Sequence, residues 1–217
     1  MKSSMPKTNP HMKVRIINIT STSKYEKYLY RCLAPIPFRQ YRTRQEYLQR
    51  ATQKGFHKKL LILNDKIVGQ TEYAPAEVAG YPITGDNIIV MNCIWVLRKA
   101  KGHNFGKLLL KNMINSERDA EGFAAIALEN HWSPWFIKWQ MEKLGFKSID
   151  KIKVTHKAKH EGEVFSIHLM WLPQKKKAKP PTWDVQKLLK GETFCMAHPL
   201  YCPQKWKGDL FKVISEF

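Results

Sequence analysis

The hydrophobic positions of this chain change period several times, and each change marks an element. Val14, Ile16 and Ile17 alternate loosely within Lys13–Ile19 and predict a first strand. Tyr25, Tyr28, Leu29 and Cys32 fall at helical spacing within Ser21–Leu33, and Tyr47, Leu48 and Ala51 do so within Thr43–Lys54, so two helices follow. Lys59–Leu63 and Ile67–Tyr73 flank an Asn64-Asp65 turn and predict a hairpin. After a Pro- and Gly-containing loop, Ala74–Gly85, the run Ile88–Leu97 is apolar and β-branched apart from Asn92. That is the signature of a central strand covered on both faces.

The second half continues in the same way. Leu108, Leu109, Met113 and Ile114 form the apolar side of a helix over Lys107–Glu121, and Ala124–Leu128 is a short buried strand. Ser133, with Pro134 at the first helical position, predicts a helix that runs to Leu144 and stops at Gly145. Phe146–Lys157 and Val164–Leu172 read as two long strands able to form a hairpin. The order β-α-α-β-β-β-α-β-α-β-β predicts an α/β fold, a mixed sheet with helices on both faces.

Residues 174–181, QKKKAKPP, read as a basic linker. Residues 182–217 offer one short helix, Trp183–Leu189, and then a Pro- and aromatic-rich stretch. Thirty-six residues rarely fold alone, so this appendage is expected to dock on the main domain. Residues 1–11 read as a disordered lead-in.

Composition narrows the class. The longest apolar run is about ten residues, half of a membrane span, and the N-terminus lacks the apolar segment of a secretory leader. A cytoplasmic protein with no membrane contact is the expectation. The four cysteines are few and widely spread, as reduced thiols are. Cys195, His198 and Cys202 are close in sequence but fall short of a four-ligand zinc spacing, so no metal is expected.

The net charge of +19 is unevenly placed. Residues 1–60 hold fourteen Lys and Arg against two acids, residues 61–130 hold seven against eight, and residues 131–217 sixteen against eight. The basic ends suit phosphates, acidic proteins or nucleic acid at long range, or serve only as a solubilising surface.

KGHNFGKLLL, residues 101–110, joins the central strand to the next helix. A helix N-terminus exposes unpaired N–H groups and the positive end of the helix dipole. Small residues before it let the backbone wrap a phosphate. Gly102 and Gly106 permit that approach, and Asn104 is the non-glycine residue that best tolerates left-handed backbone. Lys99, Lys101 and Lys107 add charge beside it. An ordinary turn before a core helix fits the same residues.

The order of elements and this loop resemble the GNAT superfamily of N-acetyltransferases, whose loop runs Arg/Gln-x-x-Gly-x-Gly/Ala into a helix. Lys101 takes the place of the Arg/Gln, Asn104 that of the middle Gly, and Gly106 the last small residue. Met141–Lys147, MEKLGFK, is similar to the family's Tyr-Glu-Lys-Leu-Gly-Phe segment. Residues 69–96, with Glu-Tyr-x-Pro-x-Glu and Asn-Cys-Ile-Trp-Val, look like the GNAT subgroup that carries a YoaP-like C-terminal region. The resemblance covers roughly residues 12–173 and makes 182–217 the YoaP-like region.

The resemblance implies a central, mostly antiparallel sheet and transfer of an acetyl group from acetyl-CoA to a primary amine, with CoA as product. The pantetheine would lie along the strand of Cys93, Ile94, Trp95 and Val96, which must splay from Ala124–Leu128. The pyrophosphate would sit on Lys101, Gly102, His103, Asn104, Phe105, Gly106 and Lys107. Glu129, at the end of the short strand, is the first candidate for the base, Glu72 the second and Glu77 the third. The family's general-acid Tyr falls on Met141, which cannot donate a proton, so Tyr73, His131 or solvent would have to replace it. The Asn seven residues earlier falls on Pro134. Cys93, inside the strand, reads as a structural thiol. An acidic or nucleic-acid-linked acceptor and pairing into a homodimer are further expectations. A CoA-binding or nucleic-acid-binding module without catalysis is the alternative.

Overall fold

A computed structural model describes residues 12–19, 25–34, 41–157, 162–203 and 205–214. The expected lead-in, 1–11, and the start of the first expected helix lie outside them. The first strand is β1 (Val14–Asn18), followed by a single turn of helix, α1 (Glu26–Leu29), and by α2 (Arg42–Ala51). Strands β2 (His57–Leu63) and β3 (Lys66–Pro75) then form the expected hairpin. Its turn residues Asn64 and Asp65 sit at φ 46° and 60°, the left-handed pair that matches strand twist in a two-residue hairpin.

The chain continues through a short β4 (Ile83–Thr84), β5 (Ile88–Val96), α3 (Phe105–Ser116), β6 (Gly122–Glu129), α4 (Lys138–Lys143), β7 (Lys147–His156) and β8 (Val164–Pro173). It ends with β9 (Thr182–Trp183), one turn of helix α5 (Val185–Leu188) and β10 (Phe211–Val213). Eight strands form one sheet in the order β1-β2-β3-β5-β6-β8-β7-β10, and β4 pairs with β9 separately. Every pairing is antiparallel except β5 with β6.

Two adjacent buried lysines show how the sheet is covered. Neighbours on a strand point to opposite faces. Lys58 turns toward the α1 side, where its ammonium donates to the carbonyls of Leu29 and Arg31. Lys59 turns toward α3 and donates to Asn112 Oδ1 at 2.8 Å and to Ser116 Oγ. The core runs between these layers through Leu48, Tyr73, Phe123 and Phe165. Each large apolar side chain buried there contributes about 1.5–3 kcal/mol.

The helix expected from Ser133 begins five residues later. Ser133 Oγ does accept from the Trp135 N–H, at 3.2 Å, as a cap would. Phe136, however, sits at φ 31°, and its carbonyl accepts from the Leu128 N–H at 2.9 Å. Ile137 thus extends the sheet as a parallel bridge to Leu128 before α4 starts. Residues 131–136 become an aromatic bend at the end of β6.

The appendage is tied to the main domain through β9 and β10. β9 pairs with β4, and β10 extends the sheet beyond β7. Between them Phe194 packs on Tyr47 and Tyr81, with ring centres 5.2 and 5.3 Å apart, and its carbonyl accepts from Arg44. No described helix is long and apolar enough to cross a membrane.

Candidate functional site

The site begins with a break in the sheet. β5 and β6 pair in parallel over Ile88–Val90 and Gly122–Ala124 only. Beyond that point β5 stays with β3, and β6 stays with β8 as far as Glu129 and Ser166. The register of β5 slips against β3, from Glu72 opposite Cys93 to Tyr73 opposite Met91, so Asn92 is an extra residue. A bulge bends its strand. This one lies where the two strands part. Asn92 is held in it by donating to the Ala79 carbonyl and to the Tyr47 hydroxyl.

The parting leaves backbone groups of Met91–Val96 without a β6 partner. Cys93 is buried, with Gln70 Nε2 3.5 Å from its sulfur, and burial pushes its pKa well up. Ile94, Trp95 and Val96 are half-buried. An extended ligand with amide groups can add there as a strand would.

The loop after β5 adds an anion cradle. A short 3₁₀ turn, Arg98–Ala100, leads to Gly102 at φ 91° and then to Asn104 at φ 57°, in the left-handed region. Asn104 is the N-cap of α3, yet no side chain caps that helix. The first bond of the helix runs from the Leu108 N–H to the Asn104 carbonyl, so the N–H groups of Phe105, Gly106 and Lys107 have no intrahelical acceptor. A Cβ built on Gly102 or Gly106 would meet nothing within 4 Å, so the space in front of these groups is open. Lys101, Gly102, His103, Asn104 and Lys107 are exposed, and the His103 ring stacks on the buried Phe105. These features fit a diphosphate.

The first two of the three carboxylates proposed from the sequence lie in different surroundings. Glu129, at the end of β6, has 40% of its side chain exposed. It pairs with Lys138 at 3.4 Å and with His168 Nε2 at 3.2 Å. Burial acts to raise its pKa, but Lys138 and His168 outweigh it and hold the carboxyl below the usual range. His168 Nδ1 meets Ser148 Oγ at 2.8 Å, and burial keeps this imidazole below its ordinary pKa.

Glu72 is sealed inside the sheet. Its Oε1 accepts from Arg44 at 2.6 Å, from Lys58 at 2.8 Å and from Gln70 at 3.3 Å. Burial alone would raise its pKa, and the two cations overcome that and lower it. The Lys58 ammonium has three donors and three acceptors, Leu29, Arg31 and Glu72. Glu77 is exposed in the turn after β3.

Of the groups considered for the acid, Met141 is buried in the core and Tyr73 is fully buried beneath Lys59, whose Nζ lies 5.5 Å over the ring. His131 Nε2 lies 3.3 Å from His156 Nε2 at the end of β7.

Sequence reasoning did not find the cavity that completes the site. It measures about 670 Å³ and opens where β5 and β6 part. Trp95 of β5, Trp132 and Trp135 of the bend, and Met196, Tyr201 and Trp206 of the appendage converge on it. His156 and His198 also face it. His198 Nδ1 accepts from the Leu200 N–H, so Nε2 carries the proton and donates to Tyr81 at 2.6 Å. Burial, reinforced by His131, lowers its pKa to about 3, so this ring is neutral. The available signal was the density of aromatic residues in an appendage too short to fold alone.

Cys195, His198 and Cys202 go separate ways. The free Cys195 thiol is hydrogen-bonded to the free Cys32 thiol, His198 meets Tyr81, and Cys202 donates to the Pro203 carbonyl. Among the described residues no group of three or more His, Cys, Asp or Glu is arranged to hold a metal ion.

No protein-family model matches the chain, and no curated protein is similar to it in sequence. Solved structures do share its fold. The ribosomal-protein-S18-alanine N-acetyltransferase of Escherichia coli superposes with a TM-score of 0.53 at 15% identity, over 77% of this chain and 97% of that one. A GNAT family acetyltransferase from Elizabethkingia anophelis with acetyl-CoA bound gives 0.50 at 15%, over 74% and 97%. A Bacillus subtilis acetyltransferase in complex with CoA gives 0.50 at 12%, over 74% and 99%. The chain therefore has the GNAT acetyltransferase fold.

Proposed function

We propose that this chain transfers an acetyl group from acetyl-CoA to a primary amine. The observation that carries this reading is the conjunction of the parted β5–β6 pair with the uncapped, open N-terminus of α3. A ligand with a pantetheine amide arm and a diphosphate needs both, at the same end of one strand. Two structural relatives were solved with acetyl-CoA or CoA bound.

In this reading acetyl-CoA supplies the activated thioester. The backbone of Cys93, Ile94, Trp95 and Val96 orients its amide arm. The N–H groups of residues 102–107 hold its diphosphate, with Lys101 and Lys107 at the rim. The amine must lose a proton to attack, and Glu129 is the carboxylate with access to water. Lys138 and His168 hold its carboxyl below the usual carboxylate range, and a water molecule carries the proton to it. Glu72 holds Arg44 and Lys58 and takes no part in the chemistry. Met141, where the family has its Tyr, leaves the protonation of the CoA thiolate to solvent.

The test is calorimetric titration of acetyl-CoA and CoA into the wild type and Gly106→Trp. Gly106 lies in helical backbone with open space beyond it, so Trp fills the cradle without disturbing the fold. Micromolar binding abolished by the substitution supports the reading, and no binding by the folded wild type overturns it. The buried Met141 favours one other reading, a CoA-binding module without catalysis. Binding with no turnover of any amine would identify it.

A further inference from the structure

The cavity beside the parted strands has a composition unlike the rest of the surface. Among the described residues no Lys or Arg lines it, although the chain carries 37. No described Asp or Glu lines it either. Four of the seven tryptophans do: Trp95, Trp132, Trp135 and Trp206. They come from three separate places along the chain, β5, the bend at 131–136 and the appendage, so their convergence is a product of the fold rather than of one apolar segment. Trp132 and Trp206 remain 53% and 41% exposed, which leaves ring surface uncovered at the mouth.

We infer that the acceptor is an amine carried on an aromatic or fused-ring body, which this tryptophan-lined cavity receives. The inference rests on the proposed acetyl transfer and names the substrate class. The volume falls within the range of small-molecule pockets, roughly 300–1,000 Å³. A flat ring body covers the exposed Trp faces by offset or edge-to-face stacking. A cationic amine head is also accommodated by Trp faces without a carboxylate.

An acidic acceptor is disfavoured by the same lining. A carboxylate or phosphate would leave water and find no Lys or Arg among the described lining residues. The cavity therefore suits the acidic or nucleic-acid-linked acceptor expected from the basic ends of the chain less well than an aromatic one. A linear polyamine would leave the ring faces uncovered and its several charges unpaired.

The appendage supplies about half of the lining. Met196, Tyr201 and Trp206 belong to it, and His198 fixes its path against Tyr81. In the transfer itself the amine nitrogen bonds the acetyl carbon as the thioester C–S bond breaks. The electron pair of that bond leaves on the CoA sulfur, which solvent protonates, and the proton lost by nitrogen passes through water to Glu129.

The experiment has two readouts. Direct binding of tryptamine, 2-naphthylamine, spermidine and glutamate is measured by calorimetry. Acetyl transfer to each is followed by release of CoA thiol. We expect saturable binding of one or both aromatic amines, and turnover with kcat/KM about a hundredfold above that of spermidine or glutamate. Trp132→Ala and Trp206→Ala should each raise the KM or Kd for the aromatic amine about tenfold, with acetyl-CoA affinity unchanged. Both side chains are partly exposed, so their truncation leaves the fold intact. A preference for tryptamine over 2-naphthylamine, or the reverse, separates arylalkylamines from arylamines.

No saturable binding of either aromatic amine, or a preference for spermidine or glutamate, overturns the inference. Saturable aromatic binding without acetyl-CoA binding would leave the cavity assignment standing and remove the proposed acetyl transfer instead.

Discussion

The Arg44 guanidinium lies 2.6 Å from the Glu72 carboxylate, with side chains 1% and 3% exposed. Arg44 also donates to the carbonyls of Tyr30 and Phe194, so one residue of α2 ties the α1 segment, β3 and the appendage together. Removing one partner of a buried pair leaves an uncompensated charge, which costs about 3–5 kcal/mol. Glu72→Gln should therefore lower stability by roughly that amount in urea unfolding. The carboxyl has a lowered pKa in the folded state, so its contribution is complete above the unfolded value and is lost as pH falls below about 4. Unchanged stability with abolished turnover would instead place Glu72 in the chemistry.

Asn104 is the hinge of the anion cradle. Its left-handed backbone costs a β-branched residue about 1–2 kcal/mol, and little for Gly. Asn104→Val should destabilise the protein by that amount and weaken acetyl-CoA binding, because the N–H groups behind it lose their aim. Asn104→Gly should keep both. Equal affinities for the two variants in titration would show that the loop does not hold the ligand.

The legibility of the fold follows from what is local. Asn64-Asp65 announces its hairpin because the two-residue turn demands left-handed backbone there. Ile88–Val96 announces a central strand because both its faces are apolar. Ser133-Pro134 misleads for a comparable reason: Ser133 does bond forward to the Trp135 N–H, but the Phe136 carbonyl is taken by Leu128, and the helix waits. What pairs across long separations leaves no such mark. Glu72 looks like a free strand carboxylate until Arg44 and Lys58 are brought to it, from 28 and 14 positions away. The cavity is the extreme case, since Trp95 and Trp206 share no local pattern.

Glu129 makes its prediction through exposure. Its side chain is 40% exposed, its ion pair with Lys138 is worth about 0–1 kcal/mol, and the amide oxygen of Gln can still accept from the buried His168, so Glu129→Gln should barely alter stability. If it receives the amine proton, kcat should fall by about a hundredfold while the affinity for CoA stays constant. Because its carboxyl is held below the usual range, it contributes no pH dependence between about 6 and 9. An unaltered kcat would remove it from the reaction.

Glu192 couples the appendage to pH. It is 3% exposed, and among the described residues no side chain pairs with its carboxyl. Burial raises its pKa to about 8. A raised carboxyl pKa means the folded state keeps its proton where the unfolded chain has lost it. The stability it permits is complete below the ordinary value of 4.5 and is lost as pH rises through about 8. That loss amounts to roughly 4–5 kcal/mol once both states are ionised. Glu192→Gln keeps the shape and removes the ionisation. Thermal melts at pH 5 and pH 9 should show nearly equal midpoints at the lower pH and a clearly more stable variant at the higher. Backbone bonds of Glu192 hold Leu200 and Cys202, beside the Tyr201 that faces the cavity. Ionisation there should therefore also raise the KM for the acceptor amine in the wild type and not in the variant. Midpoints that fall in parallel with pH would show that this carboxyl is not held neutral in the folded protein.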